Sequence, residues 1–367
     1  MASETTAKVR DLTSAPRHIP IEVEGTVGYE VLLAIWRTHN PKERPDSFDL
    51  GSDWHEKIKS RLDPDLAAEI EAIGGPHAWV WLAVIGLLAT APHPHAPDQM
   101  YRWLAGLDHQ RLMRWLIGYC SHQGDAALIE QASTGDREAL AQILHEEKGP
   151  EKIDHLISLL ESAETLPERI ADAINGFRVT AFVEDEEEFA GAVARAAAAR
   201  RAAPTRADAK TVIEDVTAGL EYDIPLGVTR VVLAPSVVTR PLSLIDQHRE
   251  TLMVFYAVAD EFISDDPEAP PSWLVRTYKA LSDERRLRIL RRLAESETTL
   301  DELAEMLDLS KSTVHHHISV LRAAGLVRVR LSEERANAYG LRDRPLGDAS
   351  SFLVSYLQTD TKGENHG

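Results

Sequence analysis

The segment TTLDELAEMLDLSKSTVHHHISVLRAAGLVRV (residues 298–329) carries the clearest local pattern in the chain. Thr299 and Glu302 form a capping box, which predicts that a short helix begins there. After a tight polar turn, Ser310 supplies a side-chain oxygen that caps a second helix, and Gly325 ends it. The apolar residues of both helices recur at helical spacing, so the segment predicts two short amphipathic helices that cross at the turn.

The second helix has two chemically different faces. Val314, His317, Ile318 and Leu321 fall at core spacing. The other face holds short or medium hydrogen-bonding side chains without a carboxylate, so it can approach phosphates and base edges, and the helix N-terminus adds amide donors. The residues predicted to read or orient on a DNA major groove are Ser310, Lys311, Ser312, Thr313, His315 and His316.

Two strands are predicted after the helices. LVRVRL alternates apolar and basic residues at period two, SEER forms a tip, and ANAYGL returns as the second strand. A two-stranded wing of this kind lies over a neighbouring phosphate or in the minor groove, and its available cations are Arg328, Arg330 and Arg335. Helices and strands together predict a winged helix-turn-helix.

A further amphipathic helix precedes this segment. LSDERRLRILRRLAES is capped by Asp283 and places five arginines around its polar face. We expect it to pack behind the second helix through an apolar face. The residues predicted to point inward are Leu287, Ile289, Leu290 and Leu293.

LSDERRLRILRRL, LDELAEMLDLSKSTVHHHISVLRAAGLV and the returning strand AYGL resemble the DNA-binding domain of the ArsR family of bacterial transcription regulators. The resemblance covers about one fifth of the chain. It implies a dimer whose two second helices enter successive major grooves of a palindromic operator, with repression relieved by a bound effector. The closing helix of the resembling region is expected to form the dimer interface, through Phe352, Leu353, Tyr356 and Leu357.

The resemblance does not extend to the metal sensors that this family often carries. Those sensors use a cysteine pair at the start of the helix before the turn, or an Asp, His and Glu cluster on the last helix. Here the first positions are Thr298, Thr299 and Leu300, and the terminal segment LGDASSFLVSYLQ has one aspartate and no histidine. No metal site and no cofactor is therefore predicted.

Length and composition restrict the class of protein. A chain of 367 residues, 44% of them hydrophobic, has room for two to three globular domains. Its single cysteine, Cys120, excludes an internal disulfide and a multi-cysteine zinc site, which fits a reducing cytoplasm. No N-terminal signal is visible, and the longest apolar run, at residues 78–91, is shorter than the roughly 20 residues that cross a bilayer. A buried helix in a cytoplasmic protein is expected there, without a membrane partner.

The net charge of −19 is divided unequally along the chain. Residues 272–344 hold 14 Lys and Arg against 11 Asp and Glu, a net charge of +3. The remainder holds 26 basic and 48 acidic residues, a net charge of −22. Such an acidic body would repel DNA except where the basic segment faces it, which favours one docking orientation.

The predicted fold is mainly α with small β elements. In the long N-terminal region helices follow one another, including one over residues 97–119 and one over 205–220. The runs 229–236 and 250–258 are rich in β-formers and are predicted to pair in a small sheet, with the run 18–23 as a candidate third strand. The predicted divisions are a disordered segment 1–17, a helical domain 18–263, a linker 264–271, a winged helix-turn-helix 272–358 and a disordered tail 359–367.

Several side chains outside the segment invite a functional hypothesis, and each has a simpler explanation. Successive residues of a helix point about 100° apart, so His315, His316 and His317 cannot share one ion. His93 and His95, with Asp98 nearby, could hold zinc, but a proline-rich loop without a further visible ligand is the favoured interpretation.

The remaining candidates for chemistry are also better explained by structure. Cys120 could be a redox sensor or nucleophile, and packing is favoured over both. The acidic run 184–188 could bind a cation, and a solvated helix start explains it better. No glycine-rich phosphate loop, GxSxG turn or paired-carboxylate pattern is present, so no catalytic residue is predicted.

Aromatic residues cluster on neighbouring predicted helices of the N-terminal region. They could line an apolar pocket for a small-molecule effector, although core packing is the favoured interpretation. The candidate pocket residues are Trp79, Trp81, Tyr101, Trp103, Trp115 and Tyr119.

The sequence thus predicts a homodimeric transcription regulator that acts as a repressor and whose partners are double-stranded DNA, a second copy of itself and a small-molecule effector. Two alternatives stay open. The N-terminal domain could be an enzyme that the winged helix targets or dimerises, which would require convergent buried polar groups in a cleft. It could instead be an interaction module whose acidic surface docks a basic partner.

Overall fold

In the computed structural model, the structure describes residues 18–42, 45–92, 96–120, 126–144, 150–203, 207–263, 269–331, 337–342 and 344–358. The predicted loop histidines His93 and His95, the wing-tip Arg335, most of the predicted linker and both predicted disordered ends lie outside these residues.

The first part of the chain is a body of packed helices. Proline occupies the first turn of α3 (Pro64–Gly74), α5 (Pro97–Ala105) and α10 (Leu166–Phe177), where its missing N–H costs no hydrogen bond. A π-helical turn at Arg178–Phe182 joins α10 to α11. The elements are β1 (Ile21–Val23), α1 (Val27–His39), α2 (Gly51–Arg61), α3 (Pro64–Gly74), α4 (Trp79–Leu88), α5 (Pro97–Ala105), α6 (His109–Tyr119), α7 (Ala126–Ser133), α8 (Arg137–Leu144), α9 (Pro150–Glu161), α10 (Leu166–Phe177), α11 (Val183–Ala202) and α12 (Ala209–Val216).

Helices α1 and α4 form the centre of this body. Both are apolar on almost every side, and nearly all of their residues are buried. The apolar run at 78–91 is therefore a buried helix, as predicted. Among the described residues, no single helix has the length and apolar content of a membrane span; the bent pair Pro64–Gly74 and Pro76–Leu88 reaches them only in combination, with a 73° bend.

A four-stranded sheet closes one side of the body. Its strands β3 (Arg230–Ser236), β4 (Leu244–His248) and β5 (Thr251–Ala257) join β1 in the order β1-β3-β5-β4. β1, β3 and β5 are parallel, and β4 is antiparallel to β5. The predicted pairing of the two β-rich runs, with the run near His18 as a third strand, is confirmed; β4 was not predicted.

Alternate residues of this sheet face two different cores, as strand geometry requires. Val232, Met253 and Phe255 join the main helical core. Val231, Leu252 and Val254 pack in a second cluster with Val212 and Ile213 of α12. Strands covered on both faces are consistent with their nearly continuous apolar sequence.

Two helix predictions in the body are wrong in extent. Residues 97–119 form two helices, since Gly106 ends α5 and the Asp108 side chain caps α6. The helix predicted for 205–220 ends at Val216, because Ala218 and Gly219 take positive φ values of 56° and 104° and turn the chain into a strand.

The C-terminal region has the predicted winged helix-turn-helix fold. Its elements are α13 (Ser272–Leu281), α14 (Glu284–Glu295), β6 (Thr298–Thr299), α15 (Leu300–Leu307), α16 (Lys311–Ala323), β7 (Val327–Leu331), β8 (Ala338–Leu341) and α17 (Arg344–Gln358). Ile289, Leu290 and Leu293 of α14 are buried as predicted, but Leu287 is 48% exposed, so its predicted inward position is wrong.

The sheet of this region contains one strand from before the predicted boundary. Its order is β2-β7-β8-β6, and β2 (Leu220–Tyr222) runs parallel to β7. Wing strands β7 and β8 are antiparallel, and β6 pairs with β8.

A second junction ties the body to the start of α13. Asp49 accepts hydrogen bonds from Arg276 at 2.6 and 2.7 Å and from Arg240 at 3.1 Å. Asp260 pairs with Arg240 and accepts the backbone N–H of Trp273 at 2.9 Å. The winged helix is therefore joined to the body by a strand on one side and by an ion-pair network on the other.

Candidate DNA-binding surface

The turn between α15 and α16 is fixed by local hydrogen bonds. Thr299 and Glu302 form the predicted capping box, in which the Thr299 N–H donates to the Glu302 carboxylate at 2.8 Å. Asp308 ends α15 in the left-handed conformation at φ 53°. Ser310 then caps α16 by accepting the Thr313 N–H at 3.2 Å.

The inward face of α16 holds the helix in place. Val314, Ile318 and Leu321 are buried in the module's core together with Leu303 of α15 and Ile289 of α14. The predicted core face of this helix is thus confirmed, and the opposite face is presented to solvent.

The outward face is exposed over its first two turns. Lys311, Ser312, His315 and His316 are exposed, and Thr313 is half-buried. The Lys311 ammonium donates to Asp301 of α15 at 2.9 Å, and both side chains are 66% exposed. An exposed pair of this kind contributes about 0–1 kcal/mol, so phosphate can compete for the lysine.

The hydroxyl groups at the start of α16 hydrogen-bond to one another. The Ser310 hydroxyl lies 2.8 Å from that of Thr313 and 3.0 Å from that of Ser312. These side chains therefore fix the helix N-terminus and its free amides, which supports an orienting contribution for Ser310 and Thr313.

His317 differs from its two neighbours. It is buried at 6% exposure, and neither ring nitrogen has a hydrogen-bond partner among the residues that the structure describes. Burial lowers its pKa below the ordinary value, against the opposing influence of Asp283, so the neutral ring is favoured. The prediction that this histidine packs inward is confirmed.

The cations of the wing strand are more extensively paired with carboxylates than Lys311 of α16 is. Arg328 and Arg330 lie on one face of β7, where the carboxylates of Glu221 and Glu297 bind both of them. The hydrogen bond from Arg330 to Glu221 raises the pKa of that guanidinium. Contact between these arginines and phosphate would have to replace ion pairs within the chain.

Helix α17 presents a largely exposed apolar face. Phe352 is 38% and Leu357 69% exposed, while Leu353 and Tyr356 are half-buried. The ring of Phe352 meets Trp273 of α13 edge-to-face at 5.4 Å and stacks with Tyr356 at 6.4 Å. Phe352 and Tyr356, two of the predicted interface residues, thus lie in one row of rings with Trp273 of α13.

The structure brings together only some of the predicted effector-pocket aromatics. Trp79 stacks on Tyr119 at 6.3 Å, and His248 stacks on Tyr119 at 5.3 Å and on Trp115 at 6.3 Å. The Tyr119 hydroxyl donates to Asp246 at 2.9 Å. These rings fill the junction between α4, α6 and the body sheet.

The other predicted pocket residues lie elsewhere. Trp81 is fully buried and donates to the Ile70 carbonyl at 3.3 Å. Tyr101 donates to Asp172 at 3.1 Å, and Trp103 lies under the Arg111 guanidinium. A cleft of about 920 Å³ opens instead between α6, α7 and α9, and none of its lining residues that the structure describes is Trp, Tyr or Phe.

The simpler interpretations of the remaining candidates fit the described residues. Cys120 is buried, and Asp98 pairs with Arg178 at 2.7 Å. In the acidic run, Glu184 and Glu186 pair with arginines. Among the residues that the structure describes, no group of three or more potential ligands could hold a metal ion.

Sequence reasoning missed three carboxylates that pair with the predicted DNA-binding cations: Asp301, Glu221 and Glu297. Asp301 lies in the first turn of α15, where a partner for Lys311 could have been sought. Glu221 gave no signal, since its partner Arg330 is 109 residues away in sequence.

Two helices joined by a capped turn, with the second exposed beside a wing, define a winged helix-turn-helix DNA-binding module. The family model described as "Bacterial regulatory protein, arsR family" matches residues 283–329. The chain is 40% identical over 95 residues to the HTH-type transcriptional regulator CmtR of Mycobacterium tuberculosis, covering 26% of this chain and 80% of that protein. It is 29% identical to the transcriptional repressor SdpR of Bacillus subtilis, covering 24% of this chain and 93% of that one.

A similar solved structure is HlyU from Vibrio cholerae, at 32% identity and a TM-score of 0.20, covering 24% of this chain and 92% of that one. The chain belongs to the ArsR family of DNA-binding transcription regulators. All of these similarities lie within about a quarter of its length, and the N-terminal body extends beyond them.

Proposed function

We propose that the chain is a homodimeric repressor that binds a palindromic operator through α16. The observation that carries the proposal is the outward face of α16, with Lys311, Ser312, His315 and His316 exposed and no carboxylate on the helix. Lysine and imidazole groups at a helix N-terminus can donate to phosphates and base edges together.

The exposed face of α17 supports the dimer. Phe352 and Leu357 of the predicted interface are 38% and 69% exposed, and large apolar side chains exposed in this way are typical of subunit contacts. A twofold dimer would present two copies of α16 one helical turn of DNA apart, which is the reason for expecting a palindrome.

Selection of bound duplexes from fragmented genomic DNA tests the function directly. The recovered fragments are expected to share an inverted repeat, and the logarithm of the binding constant should fall with the logarithm of salt concentration, by about 0.9 for each phosphate neutralised. A slope near zero, or recovery without a shared motif, would contradict sequence-specific binding.

The dimer has its own test. Leu357→Asp should shift the full chain to a monomer in light scattering, because a charge would be buried in the proposed interface. The control is Leu226→Asp, at a leucine that is 84% exposed in the body. A Leu357→Asp chain that keeps the native mass would contradict the assigned interface.

We further propose a regulatory, non-catalytic role for the helical body, as the place where an effector binds. The candidate place is the open cleft of about 920 Å³ between α6, α7 and α9, where Met113, Ile157 and Leu160 lie among mainly polar lining residues. Screening compounds for release of the recovered duplex tests this role. We expect a compound that releases the duplex to protect α6 and α9 from hydrogen exchange. Protection of another region would contradict the assignment of the effector site to this cleft.

A further inference from the structure

The N-terminal body contributes a strand to the sheet of the winged helix. Strand β2 pairs with β7 in parallel register, with Leu220 beside Val329, Glu221 beside Arg330 and Tyr222 beside Leu331. The Val329 N–H donates to the Gly219 carbonyl at 2.9 Å. The outer edge of the wing is therefore covered by the body.

Strand β2 is fixed at both ends of this contact. Leu220 is buried in the core of the winged helix, whereas Tyr222 packs with the second body cluster, which also holds Val212 and Ile213 of α12. Gly219 makes the close approach possible, because a Cβ there would lie 3.2 Å from the Arg328 Cα, and its φ is 104°. A shift of α12 would thus act directly on the wing.

The side chains of this junction form a balanced group of charges. Glu221 accepts Arg330 Nε at 2.8 Å and lies 3.6 Å from Arg328 Nε. Glu297 binds Arg328 and Arg330, each at 2.9 Å. Two guanidinium groups thus face two carboxylates, one of them supplied by the body.

The geometry of β8 completes the group. A Cβ on Gly340 would lie 2.6 Å from Arg328 Nε, so the absence of a side chain there lets Arg328 cross β8 towards Glu297. The Glu221 side chain is only 11% exposed, whereas Arg328 and Arg330 are 39% and 45% exposed, so water screens these ion pairs from the arginine side alone.

We propose that β2 is a strap through which the body restrains DNA binding, with Glu221 withholding Arg328 and Arg330 from phosphate. This proposal rests on the DNA-binding function proposed above and adds a mechanism of regulation to it. Phosphate and Glu221 compete for the same guanidinium groups, so a body conformation that withdraws β2 raises the affinity of the wing for DNA.

Thermodynamic linkage gives the strap a second consequence. If β2 pairing lowers the affinity for DNA, bound DNA must weaken β2 pairing by the same factor. Backbone amides of β7 that are protected by β2, such as that of Val329, should then exchange faster in the complex.

The test measures binding of full-length chains to the duplex recovered by genomic selection and to a 30-base-pair duplex of unrelated sequence. Glu221→Gln should bind both about threefold to tenfold more tightly than the native chain, with a salt slope steeper by about 0.9 for each arginine that reaches phosphate. The matched control is Glu22→Gln, which removes the same charge from another three-residue parallel strand, where Glu22 pairs with Arg230 at 3.3 Å.

A double substitution identifies the route of the effect. In the Arg328→Gln, Arg330→Gln background, Glu221→Gln should give no gain beyond that of Glu22→Gln, because no wing cation remains to be released. A full gain in that background would overturn the proposal.

Failure of the strap and failure of the DNA-binding function give different results. Equal affinities and slopes for Glu221→Gln and Glu22→Gln, with a native chain that binds the duplex, overturn the strap and leave the DNA-binding function standing. A native chain without salt-dependent duplex binding overturns that function instead. Should Glu221→Gln fail to fold, hydrogen exchange of the native chain decides: faster exchange of the Val329 amide on adding duplex supports the strap, and unchanged or slower exchange overturns it.

Discussion

Helix α16 and strand β7 both hold cations on the surface that is expected to face DNA, but these cations differ in how exposed their carboxylate partners are. Lys311 of α16 pairs with a carboxylate that is 66% exposed, whereas Arg330 of β7 pairs with Glu221, which is 11% exposed. Water reaches both partners of the first pair, whereas in the second it reaches Arg330, which is 45% exposed, and is largely kept from Glu221. A count of basic residues therefore overestimates the positive charge that the wing can offer to phosphate. A cation can bind phosphate only to the extent that no carboxylate of the chain already pairs with it.

The largest expected effect concerns α16. Lys311→Glu combined with His316→Glu should weaken binding to the recovered duplex by about 100-fold or more, because two donors are lost and two negative charges face phosphate. Fluorescence anisotropy measures the affinity, and circular dichroism checks the fold. Lys57→Glu with His18→Glu makes the same charge change on exposed residues of the body.

If the α16 double variant bound the duplex with near-native affinity, α16 would not supply the main DNA contacts and would not differ from β7 in this respect. It would show that the surface beginning at Ser310 is not the one that meets DNA. A comparable loss in the body control would instead assign the effect to net charge alone.

The next effect concerns the cap that positions α16. Ser310→Ala removes the acceptor of the Thr313 N–H and should lower the free energy of unfolding by about 1 kcal/mol. Urea denaturation measures the loss. Ser60→Ala is the control, since that hydroxyl donates to the Lys57 carbonyl near a helix end and caps no amide. Equal stabilities of the two variants would contradict a capping role.

The α15–turn–α16 unit could be predicted because its determinants are local. The capping box at Thr299, the cap at Ser310 and the stop at Gly325 each act within a few residues. The inward set of α16 follows the helical period, so its burial was predicted correctly as well.

The wing's partner could not be predicted in the same way. LEY is a three-residue strand without a clear β pattern, and it pairs with β7 more than 100 residues later in the chain. The exposure of Leu287 has a similar origin, since the period of α14 marks an apolar position but does not state which neighbour covers it. Which cations are free is thus decided by long-range pairing.

A smaller effect is expected at the wing. Arg328→Gln with Arg330→Gln should change the affinity of the otherwise native chain by no more than about threefold, because both guanidinium groups are already engaged by Glu221 and Glu297. Anisotropy at two salt concentrations measures the change. A loss of affinity as large as that of the α16 double variant would show that the wing arginines contact DNA in the native chain, as α16 does.

The smallest expected effect is on the pH dependence of stability, and it tests whether His317 lies on the buried face of α16. Burial lowers the pKa of His317 in the folded chain, so the unfolded chain binds more protons below the ordinary histidine value of about 6.5. The contribution of His317 to stability is therefore complete above that pH and decreases as the pH falls towards its folded pKa. Urea denaturation at about pH 7.5 and 5.5 should show a smaller stability loss on acidification for His317→Gln than for the native chain. The half-buried histidines of the body, His39 and His155, contribute equally in both chains and cancel from the difference. An unchanged loss in His317→Gln would mean that the ring is accessible to protonation in the folded state, and the separation of a packing face from a DNA-binding face would then fail at this position.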